Sequence, residues 1–117
     1  MIVSKPWGYE DIFIQTKNYV GKRIHINKGC RLSLQYHKIK EETLYIINGK
    51  ADIQWNDLNL IRTVGDVIHI PPEFTHRIRA VTDVDIIEIS TTELDDVVRL
   101  EDDYGRVSKK EEIGYGS

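Results

Sequence analysis

The sequence predicts an all-β sandwich or barrel. Short runs rich in Ile, Val, Tyr and Thr recur every 8 to 12 residues, and Gly, Asn, Asp or Pro separates them. At 117 residues the chain is one domain, 1–117, large enough to bury its own core.

The elements follow in order. The turn Pro6-Trp7-Gly8 is expected to cap one end of the barrel, with Trp7 as a packing residue, and 9–15 (YEDIFIQ) forms the first strand. Strands are expected next at 19–27 and at 31–38, where RLSLQYH alternates apolar with polar side chains. The apolar run TLYIIN gives 43–48, and Asn48-Gly49-Lys50 reads as a hairpin turn because Asn-Gly supplies positive φ. Strands at 51–56 and 58–63 flank a second hairpin at Asn56-Asp57. The run 66–70 (DVIHI) stops at Pro71-Pro72, and 75–81 and 84–90 complete nine strands. From Thr91 the acidic tail TTELDDVVRLEDDYGR is expected to form a short helix or an irregular segment under the barrel, and SKKEEIGYGS is expected to fray. The barrel core thus spans about 9–90 and the tail 91–117.

Composition limits the function. A net charge of −3 and the absence of a basic stripe interleaved with aromatics argue against nucleic acid as a partner. No apolar run approaches the ~20 residues of a membrane helix, and the first residues lack a charged-then-apolar leader pattern, so a cytoplasmic location without membrane contact is expected. Cys30, the single cysteine, has no partner for an internal disulfide and is read as structural filler.

Four residues stand apart: Gln35, His37, Glu42 and His76. Alternation along 31–38 places Ser33, Gln35 and His37 on one face, with Leu32, Leu34 and Tyr36 on the other. Glu42 opens the next apolar run, expected to return antiparallel beside the first, and a closed β-architecture brings in His76. A lone strand histidine is usually a hydrogen-bonded core or surface residue; the joint spacing argues for a site. Two imidazoles, a carboxylate and an amide oxygen suit zinc, manganese, iron, cobalt or nickel.

The pattern Gly29, Gln35, His37, Glu42, Gly49 followed by Gly65, Pro71, His76 resembles the two motifs of the cupins, with Glu73 and Ala80 replacing the usual glycine and asparagine of the second. The blocks PWGYE, KRIHINKG, RLSLQYH, IHIPPEFTHRI, IIEIS and DDVVRLEDDYGR are similar to successive blocks of the type II mannose-6-phosphate isomerases. That resemblance implies a cupin double-stranded β-helix, a jelly-roll barrel, with a divalent metal ion as cofactor and a sugar phosphate as substrate. The family usually has further histidines and an arginine after the His37 position and a His-Trp pair after Glu42. Here Lys38, Ile39, Lys40, Thr43 and Leu44 stand there, so the pocket rim is altered. Many members carry this domain behind a mannose-1-phosphate guanylyltransferase domain; these 117 residues hold no counterpart, and no guanylyltransferase activity is expected of them.

Aldose-ketose isomerisation of a sugar phosphate, mannose 6-phosphate to fructose 6-phosphate, moves a proton between C1 and C2 through a cis-enediolate. It needs a base and a cationic grip on phosphate. Glu88 is the candidate base, because a carboxylate within Ile-Ile-x-Ile is costly unless the interior there is polar. Arg31, on the alternation phase of Gln35 and His37, and Arg106 in the tail are the leading phosphate candidates, ahead of Arg23, Lys40 and Arg77. His25 and His69 lie in apolar strands and face either the cavity or solvent, and Tyr104 is read as packing. The rival readings are a non-catalytic sugar-binding cupin and another metal-cupin enzyme, an epimerase or a dioxygenase. An unpaired edge at 9–15 is a liability for a monomer, so a homodimer is expected.

Overall fold

The structure, a computed structural model, describes residues 1–108. It is built from β1 (Ile2–Lys5), β2 (Gly8–Gln15), β3 (Val20–Ile26), β4 (Leu34–Tyr36), β5 (Glu42–Asn48), β6 (Lys50–Trp55), β7 (Leu58–Thr63), β8 (Val67–Ile70), β9 (His76–Ala80), β10 (Val84–Ser90) and β11 (Val98–Glu101). The strands form two antiparallel sheets, one ordered β1-β2-β3-β10-β5-β8 and the other β11-β4-β9-β6-β7. Their inner faces meet over one core. Ile24, Ile26, Leu44, Ile46, Ile68, Ile70, Val84 and Ile86 come from the first sheet, and Ala51, Ile53, Ile78 and Ala80 from the second. Trp7 is 3% exposed and packs in that core, as expected of the turn that carries it.

All nine expected strands form. Two more lie outside them. β1 pairs along the outer side of β2, so 9–15 is not an edge and the expected homodimer cannot rest on it. β11 occupies part of the tail where a helix was one of the two expectations; among the described residues no helix forms and none is long and apolar enough to cross a membrane. Val98 is buried and Leu100 exposed, and β11 extends the second sheet beside β4. The expected fraying of the last residues falls, from 109 on, outside the described part of the chain.

The two Asn-containing turns diverge. Asn56-Asp57 closes the β6–β7 hairpin, with Trp55 opposite Leu58 and Asn56 at φ 53°. Asn48-Gly49 closes no hairpin: β5 pairs with β10 and β8, β6 with β7 and β9, and the turn is a corner that carries the chain from one sheet to the other. The loop 81–83 holds that corner, since Val81 N donates to Lys50 O at 3.0 Å and Lys50 N to Thr82 Oγ1 at 3.0 Å. Gly49 has φ 84°, and a Cβ there would lie 2.0 Å from Asp83 O. Gly49→Ala therefore combines backbone strain with a clash against main chain, and is expected to cost at least about 2 kcal/mol in chemical denaturation. Glu73 also adopts a left-handed conformation, φ 70°, and this explains why glycine is usual there in the cupin pattern.

Candidate metal centre

β4 and β9 lie side by side in the second sheet, and their register sets Gln35 opposite His76. His37 follows directly after β4. Glu42 begins β5 and so reaches the group from the facing sheet, rather than from a strand beside β4 as its sequence position suggested. The five residues between β4 and β5 are too many for a tight hairpin, and they cross between layers. The result is a donor cluster that both sheets close. His37 Nε2 lies 2.6 Å and His76 Nε2 3.6 Å from Glu42 Oε1, and the three ligand atoms fall within 4.8 Å of one another. These three residues are 2–4% exposed, and half-buried Gln35 lines the same cavity.

The imidazoles are oriented from behind. His37 Nδ1 donates to Asp96 O at 2.6 Å and His76 Nδ1 to Phe74 O at 2.9 Å. A carbonyl only accepts, so each Nδ1 carries the proton and each Nε2 faces the cluster, the arrangement of a metal-ligating histidine. Burial is the largest influence on His76 and lowers its pKa, which favours the neutral, ligating form. Burial opposes ionisation of Glu42 too, but the His37 hydrogen bond and the Lys40 charge outweigh it and hold the carboxyl below the usual range. Buried, convergent imidazole and carboxylate donors without a thiolate fit a divalent ion, with Gln35 at hand as a fourth ligand.

The cavity measures about 270 Å³. Glu88, 5% exposed, points into it from β10. Its Oε2 accepts from Lys40 Nζ at 3.1 Å and lies 4.0 Å from Lys22 Nζ, which in turn pairs with Glu10 at 3.2 Å. Burial first, and the Glu42 charge next, push the Glu88 pKa up to about 8. A carboxyl with that value exchanges a proton near neutral pH. Lys22 and Glu10 escaped the sequence reading, although Lys22 shares the alternation phase of Val20, Ile24 and Ile26 and is buried with them.

The expected phosphate residues separate. Arg31 is not in the cavity: Nε and NH2 donate to Asp103 at 2.7 and 2.8 Å on the outer face of the second sheet, beside Asp52, Arg77 and Arg79. The alternation fails because Arg31 forms an isolated bridge to Arg79 and residues 32–33 leave the regular ladder, so Leu32 and Gln35 both face inward. Arg106 donates to both Asp102 oxygens, at 2.8 and 3.0 Å, stacks its guanidinium 5.7 Å from the Tyr104 ring, and borders a small neighbouring cavity rather than the main one. Arg23 pairs with Asp85, and Arg77 with Glu101 and Leu32 O, both away from the cluster. His25 binds Asp85 under the stacked ring of Tyr9, and His69 binds Glu41 at the surface. Of the expected cations only Lys40 lines the main cavity among the described residues, joined there by Lys5, Lys22 and Arg99, the last opposite Gln35 in the β4–β11 register. Reading the tail as helix or loop hid its strand phase.

Asp96 is a further residue sequence reasoning missed. Besides its backbone contact with His37, Asp96 uses its carboxylate to accept from the N–H groups of Lys38, Ile39 and Lys40 at 3.0, 2.7 and 2.8 Å, clamping the loop between His37 and Glu42. Desolvation works against its charge, but these hydrogen bonds prevail and lower its pKa. A folded pKa below the unfolded value of about 3.9 stabilises the fold above that pH and is lost as pH falls through the lower value. Asp96→Ala is thus expected to cost about 1–2 kcal/mol at pH 7, a modest figure because the group is partly solvated. In urea melts across pH, the gap between parent and variant should close as pH falls below the ordinary carboxyl value and through the lowered one, and a gap that persists in strong acid would refute the clamp.

Comparisons agree with this architecture. The profile of the family described as mannose-6-phosphate isomerase C-terminal matches residues 1–102. Xanthan biosynthesis protein XanB of Xanthomonas campestris pv. campestris is 33% identical over 109 residues, 89% of this chain and 23% of that protein. Mannose-1-phosphate guanylyltransferase ManC of Salmonella typhimurium is 36% identical over 110 residues, 90% of this chain and 23% of that protein. The chain spans about a quarter of the length of these relatives. Among solved structures, KdgF from Halomonas sp. superposes with a TM-score of 0.76 at 15% identity, over 81% of this chain and 90% of that one. An RmlC-like cupin from Shewanella frigidimarina gives 0.74 at 18% identity, over 81% and 86%. These likenesses establish the cupin fold.

Proposed function

The chain belongs to the mannose-6-phosphate isomerase C-terminal family, and we propose that it is a metal-dependent aldose-ketose isomerase of sugar phosphates, acting on mannose 6-phosphate to give fructose 6-phosphate. The observation that carries this is the placing of Glu88, with a pKa near 8, in one cavity with His37, Glu42, His76 and Gln35. A divalent ion held by those four residues supplies Lewis acidity toward the substrate oxygens. Glu88 takes the C2 proton of the aldose and, as the acid, returns it to C1. The O2 hydroxyl proton must reach O1 in the same conversion. Lys40, 3.1 Å from Glu88 and 3.9 Å from Glu42, is placed to donate to one oxygen and recover a proton from the other.

A second reading, a sugar-phosphate-binding cupin without turnover, is favoured by Lys38, Ile39 and Lys40 replacing the usual rim residues. Proton NMR of mannose 6-phosphate with metal-loaded protein in deuterated water separates the two. Deuterium at C2 with fructose 6-phosphate appearing supports the isomerase; binding without exchange leaves the second reading, and turnover undiminished by chelation removes the metal from the mechanism.

A further inference from the structure

The tail braces the candidate metal donors. β10 ends at Ser90, and the chain then runs through 91–97, outside any strand, to β11, placing Leu94, Val97 and Arg99 along the wall of the main cavity. On that course it meets three of the four donors or their immediate neighbours. Next to Glu42, Glu41 and Thr91 bond reciprocally, Thr91 N to Glu41 O and Glu41 N to Thr91 Oγ1, both at 3.0 Å. Gln35 stands opposite Arg99 in the β4–β11 ladder, and the His37 ring donates to Asp96 O at 2.6 Å. His76 is oriented without the tail, by Phe74 O.

Asp96 is the pivot because its two acceptors hold different parts of the site. Its main-chain oxygen fixes the His37 ring, while its carboxylate takes the N–H groups of Lys38, Ile39 and Lys40 on the way to Glu42. The His37 main chain is held independently, since Glu73 N donates to His37 O at 2.6 Å. What the tail adds is therefore the direction of the ring and the path of the loop. An imidazole released from Asp96 O turns about its side-chain bonds, and its Nε2 then faces Glu42 for only part of the time. Hydrogen-bond partners of this kind typically contribute 10- to 100-fold to the affinity of a histidine site for its ion.

We propose that the divalent ion and the tail are thermodynamically linked: docking of 91–101 through Asp96 completes the ion site, and the bound ion in turn holds the tail closed as a wall of the cavity. The second half follows from the first, because an ion that prefers the docked chain favours docking by the same factor. Asp96 is a positioning residue, acting through His37 and the 38–40 loop. Without the ion, the wall at Leu94, Val97 and Arg99 opens more often, so the cavity is fully formed only in the loaded protein. This inference rests on the ion-binding part of the proposed function and does not depend on isomerisation.

The test has two arms, both on the 117-residue protein and its Asp96→Ala and Asp96→Asn variants, well below their melting temperatures. Calorimetric titration uses whichever of zinc, manganese, cobalt and nickel binds the parent most tightly. Asp96→Ala should weaken that ion by about 10- to 100-fold, and Asp96→Asn, which keeps one acceptor oxygen, should recover part of the loss. Hydrogen exchange, followed by NMR, then reads the amides of Lys38, Ile39, Lys40 and Arg99 with and without saturating ion. In the parent the ion should slow all four by a comparable factor; in Asp96→Ala they should exchange fast in both states. A merely structural clamp would protect these amides equally with and without the ion. Equal affinity of parent and Asp96→Ala, or parent amides indifferent to the ion, would overturn the linkage and leave the ion site in place. A parent that binds none of the four ions would sink the ion site and the linkage together, whereas the expected linkage without conversion of mannose 6-phosphate would sink the isomerase alone.

Discussion

Glu88→Gln should lower turnover of mannose 6-phosphate by about 10³-fold while leaving metal binding intact, because the amide keeps the shape of the carboxyl and cannot move a proton. The two effects are separable: Glu88 belongs to β10 and faces Lys40 and Lys22, whereas the ligand atoms come from β5, β9 and the end of β4. Solvent-deuterium exchange at C2 should disappear in parallel with turnover. If the variant still exchanged deuterium at the parent's rate, the base would have to be another group. The substitution also removes the negative end of the Lys40 contact, so a small loss of stability is expected beside the large loss of rate. The readout that decides is exchange per bound metal, which a merely structural role for Glu88 would not change.

His76→Ala should abolish the stabilisation that a divalent ion gives the fold. For the parent, metal at a hundredfold over its dissociation constant is expected to add about 2.7 kcal/mol to unfolding, by preferential binding to the folded state. The variant loses one of three ligand atoms within 4.8 Å of one another, and with it the charge-neutral partner of Glu42. Its melting temperature should no longer respond to metal, and turnover should fall to background. The measurement is thermal melting with and without each of zinc, manganese, cobalt and nickel. A metal-dependent shift of unchanged size in His76→Ala would show that the ion binds elsewhere. Because His37 and Glu42 remain hydrogen-bonded at 2.6 Å, the variant has a reason to fold, and a flat response reports the site.

Much of this protein was legible in its residues. Period-2 alternation locates nine strands because side-chain direction in a strand is a local property, and buried aliphatic positions such as Ile24, Ile26, Leu44 and Ile46 announce the inner face. The candidate donor set His37, Glu42, His76 was legible for a different reason: imidazoles and a carboxylate set among strand residues stand out whatever their partners. Glu88 was legible as an anomaly, a carboxylate in an otherwise aliphatic strand. What tertiary structure alone decided was pairing. Asn48-Gly49 reads as a hairpin locally, yet the corner it makes depends on the 81–83 loop packed against it. Arg31 reads as cavity-facing until the bridge to Arg79 interrupts the strand, and β11 reads as a helix start until β4 offers it an edge. Each of these turned on backbone hydrogen bonds between residues distant in sequence, which no local pattern encodes. The sequence determined the strands, the core and the candidate metal donors. The sheets' pairing decided which charges face the donors, and so assigned Lys22, Lys40 and Arg99 to the cavity and Arg31 to the outside.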